Sequence, residues 1–237
     1  MEADTIQSQG ISGSPDRPGL LKSLGRLVRG LSAIFWGLPL ALVIGVQTAR
    51  SDWLRHYGFL PLLAANGLLL FGLWEMGRFQ PRERIWTSAL DRTKLLGIIN
   101  IGLSPFLYWW YQAPRVLYFA CGSGVLILSA LFFLYDLNNV LKRLTSMLPD
   151  ATLRQETHLF STLNMVILLV AAGCFMAGFS ILNLDLAPHL AARLEFLLTR
   201  GLLWLMIFLI LLPVAMTMAM LWKIKEVILE GVFTSER

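Results

Sequence analysis

Side chains of types that could do chemistry are scarce in the long apolar stretches of this chain. Three asparagines interrupt those stretches, at Asn66, Asn100 and Asn164. An amide donates and accepts hydrogen bonds, but it does not serve as a proton carrier. Buried in hydrocarbon, such groups either tie helices together or bind a polar ligand or an ion. The sequence favours the first interpretation and leaves the second open.

The most suggestive nucleophile is Ser123, in the Cys-Gly-Ser-Gly run at 121–124. This run superficially resembles the GxSG of intramembrane serine proteases. A serine nucleophile needs a general base within hydrogen-bond reach. The three histidines, His56, His158 and His189, all lie outside the centres of the apolar stretches. We therefore interpret the run as small-residue packing, and we predict no catalytic residue and no enzymatic activity.

Metal and cofactor sites are not predicted either. Cys121 and Cys174 fall in different apolar stretches and form no CxxC motif, which favours packing over redox chemistry. His56 and His189 have no metal-binding spacing around them. The sequence has no glycine-rich phosphate-binding loop, so any use of ATP would require a separate chain.

Composition indicates which elements carry these residues. Of the 237 residues, 56% are hydrophobic and 15% are charged, whereas typical soluble domains carry roughly 25% charged residues. Six continuous apolar stretches approach or exceed the roughly 20 residues that a helix needs to cross a bilayer. They lie at about 31–48, 57–75, 95–111, 116–136, 159–183 and 201–222. The predicted fold is all-α, a six-span membrane helix bundle.

The basic residues orient these spans. Fifteen of the 20 Lys and Arg lie in the terminal segments and in the loops after spans 2 and 4. Because basic residues accumulate in cytoplasmic loops, both termini are expected in the cytoplasm of a bacterial inner membrane. The net charge of +5 reflects this topology and gives no reason to expect nucleic-acid binding. No ionisable residue lies at the centre of a span, which argues against a proton-coupled carrier or a voltage sensor.

The segments between the spans have their own patterns. Residues 1–17 are expected to be a disordered cytoplasmic tail, and 18–30 an amphipathic helix on the cytoplasmic leaflet. Residues 31–237 form the six-span domain. Span 4 continues with an apolar face over 137–148, which either packs under the bundle or receives a partner. A second amphipathic helix is predicted at 188–200, on the outer side.

Span 1 has the most regular packing pattern. Five small residues recur at every fourth position: Ala33, Gly37, Ala41, Gly45 and Ala49. In lipid, helices associate by close backbone approach across small residues. This face should press on another helix, belonging to the same chain, to a protein partner or to a second copy. Gly173 and Ala177 give span 5 a shorter face of the same kind.

Three classes of function remain. The favoured one is a non-catalytic inner-membrane protein that is a structural, assembly or accessory subunit of a membrane complex. The second is the permease subunit of an ATP-driven transporter with a separate nucleotide-binding chain. Such permeases resemble this chain in their six spans, their cytoplasmic termini and an amphipathic helix before span 1, and Arg82 and Arg84 would then contact the ATPase. An intramembrane enzyme ranks last.

Overall fold

The computed structural model describes residues 17–50, 56–79, 83–147, 151–183 and 203–234. These residues form six α-helices, and no strand occurs among them. The helices are α1 (Arg17–Arg50), α2 (Leu60–Gly77), α3 (Arg84–Gln112), α4 (Leu117–Ser146), α5 (Ala151–Asn183) and α6 (Leu203–Thr234). The predicted all-α helix bundle is therefore confirmed.

Some of the sequence predictions fall outside the described residues. They concern the disordered tail over residues 1–16, Arg82, and the outer amphipathic helix at 188–200.

Five of the six helices are long and apolar enough to cross a membrane. They contain the candidate spans Ser23–Arg50, Leu60–Gly77, Leu117–Ser146, Gln155–Ser180 and Ile207–Glu230. This set indicates an integral membrane protein. The remaining helix, α3, begins with several charged residues, and Asn100, Ser104 and Pro105 interrupt its apolar part. That composition explains why α3 is less apolar than the five candidate spans.

The helices form a closed ring of neighbours. Each helix packs against the next one in the chain, and α1 also packs against α6, which brings the first and last described helices together. At that closure the rings of Phe35 and Trp222 lie with their centroids 5.9 Å apart. Contacts of α1 with α3 and of α4 with α6 cross the ring. Five of the helices consequently surround a shared interior.

The first helix is continuous from Arg17 to Arg50. The predicted interfacial segment 18–30 and span 1 therefore belong to one helix, with no break at residue 30. Leu27 and Leu31, on either side of that position, are both 1% exposed. The described apolar side chains of this segment, Leu24, Leu27 and Val28, thus belong to the hydrophobic cluster of the bundle or pack against it.

The part of α4 that extends beyond its most apolar stretch also packs into the bundle. Leu137, Val140, Leu141 and Leu144 are almost fully buried there, as is Trp86 of α3. They belong to one hydrophobic cluster that includes side chains of α1, α2 and α6. Of the two roles left open for this face, the structure supports packing under the bundle.

Two glycines bring α1 and α2 into close contact. A Cβ atom added to Gly30 would lie 2.7 Å from the carbonyl oxygen of Gly72, and one added to Gly72 would lie 2.9 Å from the carbonyl oxygen of Gly30. Both distances are shorter than a carbon and an oxygen tolerate. The backbones can approach this closely only because neither residue has a side chain.

Candidate functional site

A cavity of about 320 Å³ lies between α1, α2, α3, α4 and α6. Most of its wall is apolar, and Asn66 of α2 and Asn100 of α3 contribute polar groups. Two of the three asparagines predicted from sequence therefore meet at one interior space. Its volume is at the lower end of the range for small-molecule sites.

The polar side of this cavity is a short hydrogen-bonded chain. The amide nitrogen of Asn66 donates to the hydroxyl oxygen of Ser104 over 2.9 Å, and that hydroxyl donates to the backbone carbonyl of Asn100 over 2.7 Å. Asn100 is 4% exposed, and its side-chain oxygen has no partner among the described residues. Because an unpaired buried acceptor is costly, this oxygen is where a hydrogen-bond donor would gain most.

The third predicted asparagine belongs to a separate cluster between α4, α5 and α6. The amide nitrogen of Asn164 lies 3.1 Å from the side-chain oxygen of Asn138 and 3.0 Å from the hydroxyl oxygen of Thr217. Asn138 in turn donates to the Thr217 hydroxyl over 3.1 Å and to the carbonyl of Leu134 over 2.8 Å. One polar cluster thus joins three helices.

The cluster is built around the carbonyl of Pro213. The hydroxyl of Thr217 donates to it over 2.7 Å, and the amide of Asn164 lies 3.3 Å from it. The Thr217 bond lies within α6, one helical turn from its acceptor, and the Asn164 bond joins α5 to the same carbonyl. All three side chains are at most 1% exposed, which leaves little room for a ligand.

Asn138 is the member of this cluster that sequence reasoning missed. It lies within the segment 137–148, where the sequence predicts an apolar face, and its polar side chain, like those of Asn139 and Lys142, excludes it from that face. In the structure it is 1% exposed and lies on the buried face, four residues after Leu134 and three before Leu141. That spacing was the available signal, because positions three and four apart share one side of a helix.

The small-residue face of span 1 points into the bundle. A Cβ on Gly37 would lie 2.7 Å from Cδ2 of Leu69 in α2, and Ala41, Gly45 and Ala49 line the central cavity. Ala33 is partly buried. The chain itself therefore supplies the neighbours of this face.

The face on span 5 has the opposite placement. Gly173 and Ala177 are exposed, and a Cβ on Gly173 would meet nothing within 4 Å among the described residues.

Ser123 has a packing role in the structure. Its hydroxyl donates to the carbonyl of Phe106 over 3.1 Å, which links α4 to α3. A side chain at Gly122 would overlap the Phe106 ring. His56 and His158 are both exposed, and His189 lies outside the described residues. The glycine and serine of this run therefore fit one helix against another.

The remaining candidate groups lie at the ends of helices. Glu75 near the end of α2 is 7% exposed, and its carboxylate lies 3.1 Å from the guanidinium of Arg78. Arg84 is the first residue of α3, and its side chain is exposed. Within the described ranges, no group of three or more His, Cys, Asp or Glu is placed to hold a metal ion.

Comparison with protein-family models, curated proteins and solved structures found no match to this chain. Its function is therefore argued from geometry alone.

Proposed function

We propose that the protein is a non-catalytic, multi-pass protein of the bacterial inner membrane that acts as a structural, assembly or accessory subunit of a membrane complex. One observation carries this proposal. In the polar cluster of Asn138, Asn164 and Thr217, the amide nitrogens and the hydroxyl bond between helices and to the Pro213 carbonyl, and only the side-chain oxygen of Asn164 lacks a partner among the described residues. Side chains engaged in this way hold a bundle together and present no reactive group to a substrate.

The proposed orientation rests on charge and on α3 as a sixth crossing. The third predicted span, residues 95–111, lies within α3 and extends about 26 Å as a helix. It packs between α2 and α4, which are themselves candidate spans. Six crossings place both termini on the side that carries most of the Lys and Arg, which is the cytoplasmic side by the positive-inside rule.

A partner surface for such a subunit is available on α5. Large apolar side chains on its outward face are more than half exposed, among them Leu159, Leu163, Val166 and Leu169. Gly173 and Ala177 leave the same helix open to close approach. Because small residues promote helix association in lipid, we propose α5 rather than α1 as the helix that contacts another chain.

Site-specific photo-crosslinking in membranes tests this role. A crosslinking amino acid at Leu163 or Val166 of α5 is expected to give one product of defined mass, and the same partner should co-purify at a fixed ratio in mild detergent. Phe71 of α2 and Phe132 of α4, which are 46% and 43% exposed, are the matched control positions. Crosslinks from all four positions, or none together with a monodisperse monomer, would contradict the proposal.

The permease alternative is supported by the central cavity, which combines an apolar wall with the amides of Asn66 and Asn100. Under that alternative, Arg82 and Arg84 contact a separate ATPase chain. Co-reconstitution with the nucleotide-binding chain encoded nearest to this gene should then stimulate ATP hydrolysis. Reversing both arginines to Glu should abolish the stimulation, whereas Lys142→Glu should not. An unchanged rate in all variants contradicts this alternative.

A further inference from the structure

A second cavity, of about 390 Å³, lies between the beginning of α3 and the end of α4. Its wall is strongly basic. The α3 side consists of Arg84, Ile85, Ser88, Ala89 and Arg92, and the α4 side of Asp136, Asn139 and Arg143. Three arginines and one aspartate therefore line one space.

These arginines differ from neighbouring cations in how they are paired. Arg78 lies 3.1 Å from the Glu75 carboxylate, and Lys94 lies 3.2 Å from Asp91. By contrast, among the described residues no carboxylate oxygen comes within 4.0 Å of the guanidinium nitrogens of the three cavity arginines. Within the described part of the chain, the positive charge at the cavity is therefore not neutralised by direct ion pairs.

The single carboxylate is partly engaged already. Asp136 lies within electrostatic range of Arg92 and lines the same cavity as Asn139. With three positive groups and one negative group, the wall has an excess of two positive charges. Guanidinium groups bind phosphate oxygens through paired N–H donors. This excess of positive charge therefore suits a phosphate better than an uncharged, apolar ligand.

The surface next to the cavity indicates where such a phosphate would come from. Leu95 and Ile99 of α3 are 58% and 38% exposed, and they follow Arg92 by three and seven residues on the same side of the helix. On α4, Phe132 is 43% exposed and precedes Asp136 by one turn. Exposed apolar side chains thus follow the cavity residues on both helices toward the membrane interior, as acyl chains attached to a bound headgroup would require.

We propose that this cavity binds the phosphate of an anionic phospholipid, with Arg84, Arg92 and Arg143 as donors and the acyl chains along the exposed side chains of Leu95, Ile99 and Phe132. Basic pockets between membrane helices bind anionic headgroups in this way. The inference goes beyond the proposed function and does not depend on it.

Native mass spectrometry of the full chain, titrated with dioleoylphosphatidylglycerol or dioleoylphosphatidylcholine, tests the site. The unmodified protein is expected to bind phosphatidylglycerol more tightly than phosphatidylcholine. The triple variant Arg84→Gln, Arg92→Gln, Arg143→Gln should lose about tenfold in phosphatidylglycerol affinity, because charge-assisted hydrogen bonds are removed. All three arginines are exposed, so the fold should tolerate these changes.

Two further variants keep the test decisive. Arg143→Gln and Lys142→Gln remove one positive charge from adjacent residues, but only Arg143 lines the cavity. We expect the first to weaken binding about threefold and the second to leave it unchanged. Asp136→Asn should strengthen phosphatidylglycerol binding, since it removes the negative group nearest the phosphate.

Three outcomes would overturn the assignment. The first is equal phosphatidylglycerol binding by the unmodified protein and the triple variant. The second is equal weakening by Arg143→Gln and Lys142→Gln, which would indicate a diffuse charge effect. The third is displacement of the lipid by millimolar inorganic phosphate or glycerol 3-phosphate, which would assign the cavity to a soluble phosphate ligand instead.

Discussion

The two halves of the bundle are joined by different forces. In the first half, α1 and α2 cross at Gly30 and Gly72, where one backbone lies against the other. In the second half, α4, α5 and α6 meet through the side chains of Asn138, Asn164 and Thr217. The first joint depends on the absence of side chains, and the second on their hydrogen-bonding groups.

The difference shows how a chain can specify helix contacts where the hydrophobic effect offers little. In hydrocarbon, apolar surface gains almost nothing by leaving lipid for another apolar helix. A glycine crossing gains dispersion energy from close contact and excludes added volume. An amide cluster tolerates changes in volume but not the loss of a donor or an acceptor. Substitutions that add volume should therefore destabilise the glycine crossing more, and substitutions that remove polarity should destabilise the amide cluster more.

The largest effect is expected for Gly72→Leu. The new side chain has no space against the Gly30 carbonyl, so α1 and α2 must separate, and overpacking of this kind costs about 1–3 kcal/mol. Gly67→Leu is the control on the same helix, because a Cβ there meets nothing within 4 Å. Unfolding in mixed micelles with increasing dodecyl sulfate measures both. Equal losses in the two variants would contradict the glycine crossing.

A smaller loss, about 1 kcal/mol, is expected for Asn164→Leu, which keeps the branching and the number of side-chain heavy atoms and removes the amide. Asn138 and the Pro213 carbonyl then each lose one contact. Thr162→Val is the control, because the Thr162 hydroxyl is exposed and bonds only within its own helix, to the carbonyl of His158. The same unfolding assay applies. Equal stability of Asn164→Leu and Thr162→Val would show that the polar cluster does not stabilise the contact between the three helices.

The hydrogen bond between Asn66 and Ser104 should contribute about 0.6 kcal/mol, an ordinary value for an interhelical bond in a membrane. A double-mutant cycle with Asn66→Leu and Ser104→Ala measures this coupling directly. A second cycle, which pairs Asn66→Leu with Thr93→Val, provides the reference. The Thr93 hydroxyl bonds the Ala89 carbonyl of its own helix and should not be coupled to Asn66. A coupling energy indistinguishable from that reference would show that α2 and α3 do not depend on the bond.

The smallest effect is expected for Gly45→Ala, within about 0.5 kcal/mol of the unmodified protein. The added Cβ would lie 3.8 Å from Leu62, an ordinary contact distance. Gly37→Ala should be more destabilising, because its Cβ would lie 2.7 Å from Cδ2 of Leu69. Thermal unfolding of the two variants checks the order. If Gly45→Ala were the more destabilising variant, α1 and α2 would lie closer together at Gly45 than at Gly37, which would contradict the structure.

The helices could be predicted from the sequence because a long apolar segment in lipid must pair its backbone groups within itself, and a helix does so. The sequence could not supply the partners of the polar residues, since Asn164 meets Asn138 from 26 residues earlier and Thr217 from 53 residues later. It also pointed to the small residues from 33 to 49, whereas the tightest backbone contact lies at Gly30. Which glycine forms a crossing depends on the rotation of the second helix, and that rotation is set by the whole bundle rather than by local pattern.

The contact between α1 and α6 has a consequence for biosynthesis. These two helices come from opposite ends of the chain, and they lie side by side, with Phe35 close to Trp222. During translation α1 emerges first and must wait for the last helix before its second neighbour exists. Until then Asn138 and Asn164 have each other but lack Thr217. Assembly of this ring is therefore completed only after α6 has been synthesised and inserted, and a chain truncated before α6 leaves the ring open to lipid along one side.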